Sequence, residues 1–153
     1  KYDFMTARKR HHFLTKNPEY KYIQDSQKDP HINERITQKS LALLEKQLST
    51  IRASENGAKK NICSVIHMLP LAELYPKKPI FNTTIAFMGS KHYGELYDKY
   101  QVKLCVCAHS HQRMTLDKHQ TRYVNVSLGH NFKWRYKTNL YQELLNTIYV
   151  LNL

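Results

Sequence analysis

Glycine and proline are scarce in this sequence, four and five residues out of 153. That scarcity excludes collagen-like and low-complexity architecture. Acidic residues are scarce too: 12 Asp and Glu stand against 24 Lys and Arg, a formal net charge of +12. No run of about 18 apolar residues occurs, so no membrane-spanning helix is expected and no membrane partner is implied. No basic segment leads into an apolar stretch at the start, so no secretory leader is expected and the cytoplasm is the expected compartment. Cysteine is limited to Cys63, Cys105 and Cys107. An odd set without an export signal fits buried, reduced thiols better than a disulfide framework. The Cys105-x-Cys107 spacing matches neither a zinc ribbon nor a thioredoxin motif. The chain starts at Lys1 rather than Met, which fits a fragment or a processed chain.

What is present suffices for a core. Apolar residues make up 41% and charged residues 24%, outside the disordered range. A domain of this length buries about 70% of the surface its unfolded chain exposes. The basic excess attracts polyanions, nucleic acid first among them. It also serves plain solubility, or balances an acidic part of a parent chain. The positive residues are spread along the sequence, and Arg8-Lys9-Arg10 is the densest block.

Periodicity divides the chain into a helical or irregular region, 1–60, and a strand-rich region, 61–153. Residues 1–33 are aromatic and basic with little period, and are expected to be irregular or partly helical. Over 34–52, Ile36, Leu41, Leu44, Leu48 and Ile51 recur at helical spacing. Asn33 is placed to cap this helix, Glu34 to meet its dipole, and Asn56-Gly57 to end it. Residues 61–68 form a β-branched apolar run that reads as a strand buried on both faces. Residues 71–90 carry Pro76, Pro79 and Gly89 and read as a long loop with one short helix. A helix is expected over 91–99 and a second buried strand over Val102–Cys107. Gln112–Leu116 and Thr121–Ser127 flank a polar turn and read as a hairpin. The alternation of Asn146–Leu153 predicts a last strand. Helix, strand, helix, strand implies an α/β fold, in which ligands bind at the carboxyl ends of strands.

Nine histidines are present. His11, His12, His31 and His119 lie in polar surroundings and are expected on the surface, and His92 lies at a helix start. His130 follows a glycine after a strand. His67, His109 and His111 differ, because each sits where an apolar strand runs into a loop. A neutral imidazole is the commonest nitrogen ligand for Zn, Mn, Fe and Ni. In an extended segment residues i and i+2 point the same way, so His109 and His111 offer both rings to one site. Two bridged ions would also need carboxylates, and neither Glu73 nor Asp3 has a convincing motif around it.

These residues resemble the C-terminal half of the calcineurin-like metallophosphoesterase superfamily. Ser64-Val65-Ile66-His67-Met68-Leu69-Pro70 looks like its fourth motif, a strand ending in histidine. Cys107-Ala108-His109-Ser110-His111 looks like its fifth, Gly-His-x-His, with Ala108 in place of the usual glycine. Thr121 to Gly129 resembles the strand that follows. The resemblance covers residues 60–130. It implies part of a two-sheet sandwich flanked by helices, with His67 and His109 on one metal and His111 on the other. It further implies two divalent ions (Mn, Fe, Zn or Ni) and hydrolysis of phosphomonoesters or phosphodiesters by metal-activated water. Asn125 and Ser110 are suggested as partners that orient the imidazoles. The family's first three motifs, Asp-x-His, Gly-Asp-x-x-Asp and Gly-Asn-His, occur nowhere in the sequence. They would lie upstream of Lys1 together with the catalytic residues, and the fragment alone would be inactive or nearly so. Metal identity, substrate, substrate-binding residues and oligomeric state stay open.

Two other readings compete. One is a basic α/β nucleic-acid-binding module with structural histidines, in which some of the eleven tyrosines stack on bases. The other is a small zinc protein using Cys105, Cys107, His109 and His111, which alternate along one face if the strand stays extended.

Overall fold

The expected first helix forms as α1, Ile32–Ala53. It begins two residues early, so Asn33 lies in its first turn rather than at the cap, and its carbonyl accepts from Thr37 Oγ1 at 2.8 Å. Glu34 in the first turn and Arg52 in the last suit the helix dipole. The computed structural model describes residues 31–75, 88–129, 134–136 and 139–150. Most of 1–33, including Asp3, Arg8-Lys9-Arg10, His11 and His12, lies outside these, as do His130, Pro76 and Pro79. The chain divides after Gln47 into two compact units, Lys1–Gln47 and Leu48–Leu153. In the first, the described helix residues are largely exposed, Ile36 and Leu43 by more than half. In the second, Leu48 is buried and Ile51 is half-buried. Thus the apolar stripe of α1 does not form one buried face.

The Asn56-Gly57 stop is present. Asn56 takes a left-handed φ of 58°, and the carbonyls of Ile51 and Arg52 approach Gly57 too closely for any side chain there. Arg52 closes the corner. It donates to the carbonyls of Gly57 (2.7 Å), Lys60 (2.9 Å), Tyr100 (2.8 Å) and Gln101 (2.9 Å).

Four strands follow: β1, Cys63–Val65; β2, Leu104–Cys107; β3, Arg113–Lys118; and β4, Thr121–Val126. They form one mixed sheet in the order β1-β2-β4-β3. β1, β2 and β4 are parallel, and β3 is antiparallel to β4. The architecture is α/β, a four-stranded mixed sheet with flanking helices. Helix α2, Lys91–Lys99, joins β1 to β2 and matches its expected limits. Its Tyr97 is fully buried, with its hydroxyl 2.7 Å from Ser64 Oγ and its ring 6.4 Å from that of Tyr123. Gly94 lets α2 sit close to the 70–71 segment, since a Cβ there would meet Leu71 Cδ2 at 2.6 Å and Pro70 O at 2.8 Å. Leu69, Leu71 and Leu74 complete this part of the core.

Three expectations are corrected. The 61–68 run is not a strand buried on both faces. Only 63–65 form a strand, at an edge of the described sheet, and Val65 is 78% exposed. A short apolar run has no period to tell an edge from a centre. Cys63 is exposed with it, so only Cys105 and Cys107 are buried thiols. Nor do residues 146–150 form the final strand: a short helix α3, Leu140–Leu145, precedes them and they carry no strand pairing. Among the described residues of the 71–90 segment, a 3-10 turn spans Ala72–Leu74. The hairpin is longer than expected, pairing Lys118 with Thr121 around His119-Gln120. Among the described residues, no helix is long and apolar enough to cross a membrane.

Candidate functional site

Parallel pairing sets the carboxyl ends of β1 and β2 side by side. The ladder continues past both strands. Ile66 N donates to Val106 O at 3.0 Å and Ala108 N to His67 O at 3.2 Å. His67 is thereby held next to the 108–109 backbone across a sequence gap no local pattern could bridge. His67 Nε2 lies 2.9 Å from His109 Nδ1, with the rings edge to face and their centroids 4.9 Å apart. At that distance one ring nitrogen carries a proton and the other offers its lone pair. Burial pushes the His109 imidazole below its ordinary pKa, and the charges of His67 and His111 push the same way. His111 is therefore near enough to be felt. Among the described residues, however, no three His, Cys, Asp or Glu side chains converge to hold a single ion.

The backbone at this corner departs from the sequence-based picture. His109 and His111 have φ of 64° and 55°, both left-handed. The segment is not extended, so alternation of i and i+2 does not describe it. Each such residue costs about 1–3 kcal/mol and persists only where its surroundings fix it. Ala108 is not among the positive-φ residues, so its methyl group meets no left-handed strain. Gly129, at φ 77°, passes so near that a Cβ would stand 3.2 Å from His111 O.

Ser110 and Asn125, suggested by their nearness in sequence, do meet. Asn125 Nδ2 donates to Ser110 Oγ at 2.6 Å, and both residues are buried. Asn125 Oδ1 accepts from Ser127 N at 3.2 Å and Ser127 Oγ at 2.7 Å. Sequence reasoning missed Ser127. The available signal was the period of two that puts Tyr123 and Asn125 on one side of β4 and Ser127 next in line just past its end, with two polar residues where apolar ones are ordinary. Arg113 and Glu143 were missed as well. The fully buried Glu143 carboxylate pairs with Arg113 Nη2 and accepts from Tyr136 N at 3.1 Å. No local pattern signals that pair, whose partners are 30 residues apart.

Other candidates are placed elsewhere. His92 pairs with Glu95 on the surface of α2 at 2.7 Å, His31 with Glu34 at 3.5 Å, and His119 sits in the hairpin turn. Glu73 is tied to Lys118 at 2.5 Å, which holds its carboxyl below the usual range. The zinc reading loses its geometric basis. Cys105 and Cys107 are both buried in the sheet, and the neighbouring Cys107 thiol together with burial pushes the Cys105 thiol up. The chain leaves the extended form at His109, so the four residues do not share a face. No family model, no curated protein and no solved structure matches the chain.

Proposed function

We propose that this chain is the C-terminal portion of a dimetal phosphoesterase of the metallophosphoesterase type, cleaving phosphomonoesters or phosphodiesters. His67 and His109 serve one divalent ion and His111 a second. The observation that carries this reading is the 2.9 Å approach of His67 Nε2 to His109 Nδ1 at the carboxyl ends of adjacent parallel strands. The donor set fits a metal: two imidazole nitrogens bound to one ion at about 2 Å each stand about 3 Å apart. When bound, divalent ions lower the pKa of water and offset charge on phosphoryl oxygens. With an ion in place, His67 would offer its Nε2 lone pair and carry its proton on Nδ1, and His109 would offer Nδ1 and carry its proton on Nε2. In a neutral pair the proton between the rings would move to the outward nitrogen of the ring that carries it, freeing both facing lone pairs with no net loss of protons. The basic surface attracts an anionic phosphoester. The bridging carboxylate and the histidine assisting the leaving group belong to the first three motifs, which on this reading stand in a longer parent chain.

The test is hydrolysis of p-nitrophenyl phosphate and bis(p-nitrophenyl) phosphate by the parent enzyme with Mn2+, Fe2+, Zn2+ or Ni2+ added. His67→Ala and His109→Ala are expected to abolish turnover and to lower bound metal, with circular dichroism unchanged. His119→Ala is expected to leave both intact. Wild-type turnover in His109→Ala would overturn the assignment.

A further inference from the structure

Two left-handed histidines flank a serine that is only 6% exposed. Whatever holds Ser110 holds the corner. Its hydroxyl oxygen takes a 2.6 Å hydrogen bond from Asn125 Nδ2. The direction of that bond follows from its neighbour: the Ser127 N–H can only donate, so Asn125 turns its oxygen toward Ser127 and its nitrogen toward Ser110. Asn125 is 2% exposed and sits within β4, opposite Cys107 on one side and Met114 on the other. Its amide is thus a rigid arm reaching from the sheet to the residue between the two histidines. Packing alone would be served by a leucine of similar volume, with no polar group to desolvate.

We infer that Asn125 is a positioning residue of the candidate centre. Through Ser110 it fixes the left-handed His109-Ser110-His111 corner, and so the direction in which His109 meets His67. The inference rests on the reading of these histidines as metal ligands, and deepens it by naming what aims them. Asn125 need not touch metal or substrate to do this, and partners of this kind set the affinity of a metal site.

The test compares Asn125→Leu, Ser110→Ala and their combination with Tyr97→Phe. The last removes another buried hydroxyl contact of the same sheet, the 2.7 Å bond to Ser64. Zinc affinity is read by titration. In the metal-free protein, NMR reads the contacts between the His67 and His109 rings and the HN–Hα couplings of His109 and His111. Asn125→Leu and Ser110→Ala are each expected to weaken zinc binding about 10–100-fold, with the double variant no worse than the weaker single. Both are expected to lose the ring contacts and the left-handed couplings. Tyr97→Phe is expected to melt earlier yet bind zinc as wild type does, and Asn125→Asp, to which Ser110 can donate, to recover ring contacts. Intact ring contacts and couplings in folded Ser110→Ala overturn the inference even if zinc binds. Loss of the ring contacts in a protein whose wild type binds no zinc upholds the positioning role and overturns the metal reading. Should Asn125→Leu fail to fold, Ser110→Ala decides alone.

Discussion

Arg52 shows how much one side chain can do at a helix end. Its guanidinium reaches four carbonyls, two in the 57–60 turn and two just after α2. A planar fork with five N–H groups spans such a set, and a lysine ammonium does not. Removing it strips charged donors from carbonyls that are partly shielded from water. We expect Arg52→Ala to cost about 2 kcal/mol of stability, and Arg52→Lys to recover less than half. Urea unfolding midpoints check this. A loss within about 0.5 kcal/mol, ordinary for a surface substitution, would show that water replaces the guanidinium without penalty. The histidines follow the same logic in reverse. Their identity is a residue-level fact, but their mutual aim depends on Ser110, Asn125 and Ser127, which carry none of the proposed chemistry.

Elements were legible where period and length agreed. The nine-residue helix α2 has its limits where Tyr93, Leu96, Tyr97 and Tyr100 place one face, and the β3–β4 hairpin has polar residues at its turn. Legibility failed where period was missing. β1 lies in an apolar run that looks fully buried, yet Val65 is 78% exposed. The 146–150 segment alternates and does not pair. Between elements, Gly94 constrains how α2 meets the 70–71 segment. In an exposed helix, alanine there would gain up to about 1 kcal/mol in propensity. Here its Cβ would meet Leu71 Cδ2 at 2.6 Å and Pro70 O at 2.8 Å, and overpacking costs about 1–3 kcal/mol. Gly94→Ala is therefore expected to destabilise the protein, by a lower melting temperature. A rise in melting temperature would mean that the 70–71 segment yields to α2.

For the whole molecule, charge dominates what can be said. A net charge of +12 produces a field that gathers anions whether or not the histidines bind metal. We expect the chain to bind a polyanion such as single-stranded DNA with an affinity that falls steeply with salt. On the phosphoesterase reading, saturating EDTA removes hydrolysis by the parent enzyme and leaves this binding in place. Polyanion binding that does not respond to salt would refute the electrostatic account.

The sequence by itself determined the α/β class, α2 and the hairpin, and that His67 and His109 follow closely on strands, because period, length and turn chemistry are local properties. It also supplied the resemblance to the metallophosphoesterases, carried by two short motifs. Only the tertiary structure decided which histidines meet. Parallel pairing of β1 with β2 brings residues 42 positions apart to 2.9 Å. Only it showed that the His109–His111 corner is left-handed rather than extended, since backbone handedness there is fixed by a buried amide on another strand. Glu143 and Arg113 are decided the same way: each is an ordinary charge in sequence, and the burial of Glu143 against the part-exposed Arg113 follows from where α3 comes to rest.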